Sequence, residues 1–137
     1  MGLVYENVTL TNVGDELIAK RGFMEENQIR QVNVRVLVDT GAEALVINEN
    51  LRKELGLEIK GEREVSLADE SSLVCKITEP VEIRWKNRFT YTEAYVLPSA
   101  EEILLGAVAL QGLNVIVDPV NHQLVGRHGD DILMFIK

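Results

Sequence analysis

The chain has one cysteine, Cys75, so no intrachain disulfide can form and the fold does not depend on an oxidising compartment. It is poor in positive charge. Fourteen Lys and Arg stand against 22 Asp and Glu, for a formal net charge of -8. Such a surface repels phosphate backbones and anionic bilayers, which argues against nucleic acid or membrane as partners. No apolar run approaches the roughly 18 residues of a spanning helix. The opening Met1-Gly2-Leu3-Val4-Tyr5-Glu6 lacks the basic and apolar regions of a signal peptide, so a cytoplasmic location is expected. His122 and His128 lie six apart with no Cys or paired carboxylate at ligand spacing, so no metal and no cofactor is expected. Low-complexity linkers and clear repeats are also missing. With 137 residues, 46% of them hydrophobic, the chain is expected to form one domain over residues 1–137.

What is present reads mostly as short strands. Residues 32–38 place Val32, Val34, Val36 and Val38 on one face. Residues 81–85 place Val81, Ile83 and Trp85 opposite Glu82 and Arg84. Lys86-Asn87-Arg88 reads as a hairpin tip, with Phe89, Tyr91 and Tyr95 alternating on the return strand. Residues 114–117 and 123–125 form a second hairpin, turning at Asp118-Pro119-Val120-Asn121. Further strands are expected near 4–11 and 16–20, and Ile132–Ile136 reads as a final apolar strand in need of a pairing partner. Helix is scarce. Asn48 would cap two turns carrying Leu51 and Leu55, stopped by Gly56, and a second short helix runs from about 106 to 111, ended by Gly112. Cys75 alternates with Leu73 and Ile77, which suits a core residue. Arg52-Lys53-Glu54 reads as a solvated helix face.

The stretch that carries chemistry is Val36-Leu37-Val38-Asp39-Thr40-Gly41-Ala42. An apolar strand stops abruptly and delivers a carboxylate into a turn. Gly41 lets backbone approach closely. A second carboxylate brought beside Asp39 would share one proton with it, the state that suits activation of water for peptide hydrolysis. Asp-Thr-Gly alone arises by chance in about 2 to 4% of chains this long. The strand before it and Ala-x-x-Leu-Val-Ile after it sharpen the signal. A GTP-binding reading fails because no GxxxxGK[ST] loop is present. A phosphorylated-aspartate pump would need Lys after the Asp, and a far longer chain.

Val38-Asp39-Thr40-Gly41-Ala42 resembles the active-site loop of retropepsin-like aspartic proteases, the retroviral enzymes and their cellular and bacterial relatives. Ile103-Leu104-Leu105-Gly106, followed by Leu110-x-Gly112-Leu113-Asn114, resembles the family's second motif and short helix, at a similar spacing. Val65–Leu73 stands where the family has its flap hairpin. The resemblance is strongest over residues 30–126. It implies an all-β fold, a small acid-protease barrel with one or two short helices. It also implies an aspartic endopeptidase acting as a homodimer on extended, apolar-flanked peptides. Asp39 would be the one catalytic carboxylate per chain, with Thr40 locking the two loops across the dimer and Gly41 meeting substrate backbone. Ala42 and Glu43 would line the cleft. Leu67, Ala68, Asp69 and Glu70 would close over the peptide, and Leu105 and Gly106 would support the catalytic loop.

The sequence departs from the family at the flap, where Ala68-Asp69-Glu70-Ser71-Ser72 contains no glycine. That departure supplies an alternative: a catalytically silent peptide-binding or dimerisation module on the same fold. A plain β-domain with a chance tripeptide is the third reading.

Overall fold

A computed structural model describes residues 3–131, so the expected strand at Ile132–Ile136 lies outside the described residues. The chain begins with β1 (Tyr5–Asn12) and turns directly into α1 (Val13–Lys20). A single 3-10 turn, Glu26–Gln28, leads into β2 (Gln31–Val38), followed by β3 (Leu45–Ile47) and α2 (Glu49–Leu55). Next come β4 (Ile59–Ser66), β5 (Ser72–Thr78), β6 (Val81–Trp85), β7 (Arg88–Thr92), β8 (Ala94–Val96) and β9 (Ile103–Leu105). The described part closes with α3 (Ala107–Leu113), β10 (Val115–Asp118) and β11 (Gln123–Gly126).

This is the all-β architecture that the strand-rich sequence implies. Nine strands form one sheet in the order β4-β5-β8-β3-β9-β2-β1-β6-β7, and β10 and β11 form a separate hairpin. Among the described residues the ladder does not close into a ring, so β4 and β7 are its edges. Most neighbours are antiparallel, but β2 pairs with β9 and β3 with β8 in parallel. Those parallel pairs join segments far apart in sequence and put the two family-like motifs side by side.

The alternating strands bury one continuous core. Leu10, Val36, Leu45, Ile47, Leu55, Ile83, Leu105 and Leu113 are fully enclosed within it. Burying each such side chain contributes about 1.5–3 kcal/mol. Val81, Ile83 and Trp85 all face the core, as their period of two requires. Cys75 is buried too.

Several local expectations need correction. Residues 16–20 are helix, not strand. The Asn12 side chain accepts the Asp15 N–H at 2.9 Å, Asp15 and Glu16 occupy the first turn and Lys20 the last. Capping and charge placement thus override the apolar pair Leu17 and Ile18, which stay largely exposed. Gly112 does not end α3; Asn114 does, at φ 56, while Gly112 lies against Thr90, where a Cβ would come within 2.1 Å of Oγ1. It is a packing glycine between helix and strand.

The hairpin turns at Lys86-Asn87 as expected, but Arg88 lies just past the tip. It opens β7, is buried, and its guanidinium donates to the carbonyls of Asn114 (2.8 Å), Gly129 (3.0 Å) and Asp130 (3.1 Å). The return strand also breaks at Glu93, and Phe89 and Tyr91 stand exposed, edge to face at 5.7 Å. Arg52 is only half-exposed. It pairs with Glu49 and donates to the Leu57 carbonyl at 2.9 Å, so the charge run closes the helix end as well as meeting solvent. By contrast, α2 forms as its letters require. Asn48 accepts the Leu51 N–H at 2.8 Å and Gly56 ends the helix at φ 63.

Candidate active site

Strand β2 ends at Val38 because the chain leaves the sheet there. Val38 N–H still donates to Val4, at 2.8 Å, but Asp39 N–H donates to the Leu105 carbonyl at 3.0 Å. Asp39 therefore sits where two strands end together, Val38 opposite Leu105 in a parallel ladder. Its Oδ1 accepts the Gly41 N–H at 2.9 Å, and its carbonyl accepts the Ala42 N–H at 3.1 Å. Asp39 as a residue is half-buried, and Thr40, Gly41 and Glu43 are exposed. Among the described residues, no side chain bonds to Oδ2.

The loop is clamped from the other motif. Ala107 N–H donates to the Ala42 carbonyl at 2.8 Å, and Val108 N–H to the Glu43 carbonyl at 3.0 Å. Just before them lies Gly106, whose backbone is extended at φ -91 and ψ -175. A Cβ built there would fall 2.5 Å from the Ala44 carbonyl oxygen, 2.7 Å from that of Ala42 and 2.8 Å from the Ala44 nitrogen. All three are backbone atoms of the loop between β2 and β3, so the glycine is required by close approach and not by its dihedrals. Leu105 is fully buried beneath. Asp39, Thr40, Gly41, Ala42, Glu43, Leu105 and Gly106 are thus brought together.

Leu67, Ala68, Asp69 and Glu70 are placed elsewhere, at the tip between β4 and β5. The two strands are in continuous register from Gly61–Ile77 to Ser66–Ser72. Leu67 N–H closes the tip on the Ser71 carbonyl at 2.8 Å, and Glu70 N–H bonds to Leu67 at 3.0 Å. Asp69 accepts both the Ser71 N–H and its hydroxyl, which hold its carboxyl below the usual aspartate range. Glu70 takes φ 70, the left-handed region that favours glycine. The tip is exposed throughout, and among the described residues no hydrogen bond joins it to the Asp39 loop.

Two cavities, of about 480 and 240 Å³, lie away from Asp39 and are lined largely by residues of β1, α1 and their neighbours. Among the described residues no group of three or more His, Cys, Asp or Glu could hold a metal ion, and no helix is long and apolar enough to cross a membrane. The letters of the sequence did not reveal the roles of Ala44, Ala107 and Val108. They act through backbone atoms alone, which leave no side-chain signature.

Comparison with known proteins bears on this geometry. No match was found among curated proteins. Among solved structures, the retroviral protease-like domain of Ddi1 from Leishmania major is similar, with a TM-score of 0.57 and 15% identity, over 96% of this chain and 91% of that one. A retropepsin-like aspartic protease from Rickettsia conorii aligns over 85% of each chain, with 20% identity and a TM-score of 0.46. The first likeness shows a shared fold. The model of the family described as "gag-polyprotein putative aspartyl protease" matches residues 26–112, a span that holds both the Asp39 loop and the Gly106 segment that braces it. That match covers well over half of the sequence, and the chain belongs to this retropepsin-like aspartic protease family.

Proposed function

We propose that the protein is an aspartic endopeptidase that works as a homodimer of single-domain chains, with one Asp39 from each. The observation that carries this reading is the bracing of the Asp-Thr-Gly loop by Leu105, Gly106 and Ala107, which fixes Asp39 at the end of two strands. A site with one such carboxylate per chain is completed economically by a two-fold axis. The paired carboxyls share one proton. The ionised group takes a proton from water, whose oxygen bonds to the scissile carbonyl carbon, while the protonated group supports the carbonyl oxygen. The C–N bond then breaks and the amine leaves with a proton. Thr40 ties the two loops together and Gly41 meets substrate backbone. Ala42 and Glu43, with Leu67, Ala68, Asp69 and Glu70 from the hairpin as a flap, enclose an extended, apolar-flanked peptide. The reaction calls for no cofactor, and the acidic surface suits neither nucleic acid nor membrane. One cysteine and no disulfide suit a cytoplasmic setting.

The test is cleavage of a diverse peptide library between roughly pH 4 and 7, the window in which a carboxyl pair can share one proton. Asp39→Asn is expected to lower turnover by at least about a thousandfold. Equal cleavage by parent and variant would end the proposal, and so would a strictly monomeric parent at high concentration in sedimentation.

A second reading, a silent peptide-binding module, is favoured by the glycine-free tip with Glu70 in a left-handed conformation. It predicts saturable peptide binding by parent and Asp39→Asn alike, with no cleavage by either.

A further inference from the structure

Where α1 crosses the sheet near β1, β2 and β6, a cavity of about 480 Å³ is lined by Thr11, Glu16, Lys20, Gln31, Glu82 and Arg84, among others. One of its carboxylates, and one oxygen of a second, are withdrawn from water. Glu82 sits on β6 with its side chain only 6% exposed. Its ion-pair partner is Arg84 on the same strand, at 3.5 Å and with no hydrogen bond. Arg84 is itself 46% exposed and spreads over the Phe89 ring at 4.9 Å. Glu16, from α1, places Oε1 in full enclosure with no donor. Its carboxyl is pushed up by burial and then by the charge of Glu82, with Arg84 opposing. Among the described residues Lys20, although it lines the cavity, forms no ion pair.

A buried carboxylate oxygen without a donor is costly, and a second, loosely paired carboxylate in the same cavity adds to that cost. Three features point to what would offset it. The cavity is roomy and open, so a ligand group can enter. No three ligating side chains converge on a metal among the described residues. Tyr91, exposed on β7, stands across from Glu82 in the β6–β7 ladder, and its hydroxyl is pushed up by partial loss of water and then by the charges of Glu82 and Glu16. Carboxylates beside an aromatic ring on a chain of net charge -8 favour an organic cation.

We propose that this cavity binds a guanidinium or primary ammonium group, with Glu16 and Glu82 as its acceptors. Glu16 supplies the empty Oε1, and Glu82 supplies charge that Arg84 leaves only partly neutralised. The residues from α1 and β1 precede the segment matched by the family model, so the site is built partly outside that segment. The proposal does not rest on peptidase activity.

Calorimetric titration of the full chain with N-acetyl-arginine amide and with agmatine tests it, with N-acetyl-citrulline amide as the neutral isostere. Saturable binding of either cation is expected, with the citrulline compound at least about tenfold weaker. Glu16→Gln and Glu82→Gln should each weaken binding by about tenfold, while Asp39→Asn binds like the parent. Binding of both cations assigns the site to side chains of peptides as well as free amines, and binding of agmatine alone assigns it to free amines. Circular dichroism establishes that each variant is folded. If one is not, the other and the citrulline comparison still decide. No saturable binding, equal binding of the citrulline compound, or unchanged binding by both folded Gln variants would overturn the proposal.

Discussion

The Asp39 loop and the β4–β5 tip are both turns, yet they are held in opposite ways. The loop is clamped by bonds to a segment distant in sequence, through Leu105, Ala107 and Val108, around a glycine with no room for a Cβ. The tip is held only by its own residues, Leu67, Asp69 and Ser71, in open solvent. At the first, a side chain is forbidden by crowding. At the second, Glu70 keeps a side chain in a backbone region where glycine would be free of strain. A loop clamped from afar and a self-contained, exposed hairpin tip are what the proposed catalytic carboxylate and flap would require.

The sharpest way to break this contrast is Gly106→Ala. Its Cβ has backbone on three sides, so the loop or the segment must shift. The expected cost is about 1–3 kcal/mol in chemical denaturation, together with loss of whatever turnover the parent shows. A neutral effect would mean that the clamp is slack. Glu70→Gly should act in the opposite sense, neutral to stabilising by no more than about 1 kcal/mol in thermal unfolding. Marked destabilisation would show that the tip depends on the Glu70 side chain.

The smallest effect concerns acid. Asp69 is held below its usual range by the Ser71 hydroxyl and then by the Ser71 N–H. A depressed folded value means that the contribution is present above the unfolded value and is lost as pH falls through the folded one. Protection of the Ser71 amide against hydrogen exchange, corrected for intrinsic rate, should therefore fall off below the ordinary aspartate range. That of the Asp39 amide, bonded to the Leu105 carbonyl, should not follow it.

Much of this was legible beforehand because it is local. Alternation marked β2 and β6, and a capping asparagine with a closing glycine marked α2. The fold class and the family were readable from two ordered motifs. What misled were signals weighed at the wrong range. Leu17 and Ile18 suggested a strand, although Asn12 had already committed the chain to helix. Gly112 resembled a helix stop, although its reason lies across the interface at Thr90. Arg88 looked like a turn residue because nothing near it in sequence announces the carbonyls it gathers.

By itself, the sequence determined that an apolar strand ends in Asp39-Thr40-Gly41, that a hairpin follows, and that one chain carries one such motif. Those are properties of neighbouring residues, set by backbone preference and alternation. Only the tertiary structure decided that β9 lies parallel to β2, that Gly106 presses against Ala42 and Ala44, and that Glu16 and Glu82 share one cavity. Contacts between distant segments depend on where the sheet carries each backbone, and backbone atoms are the same at every residue, so no letter records them.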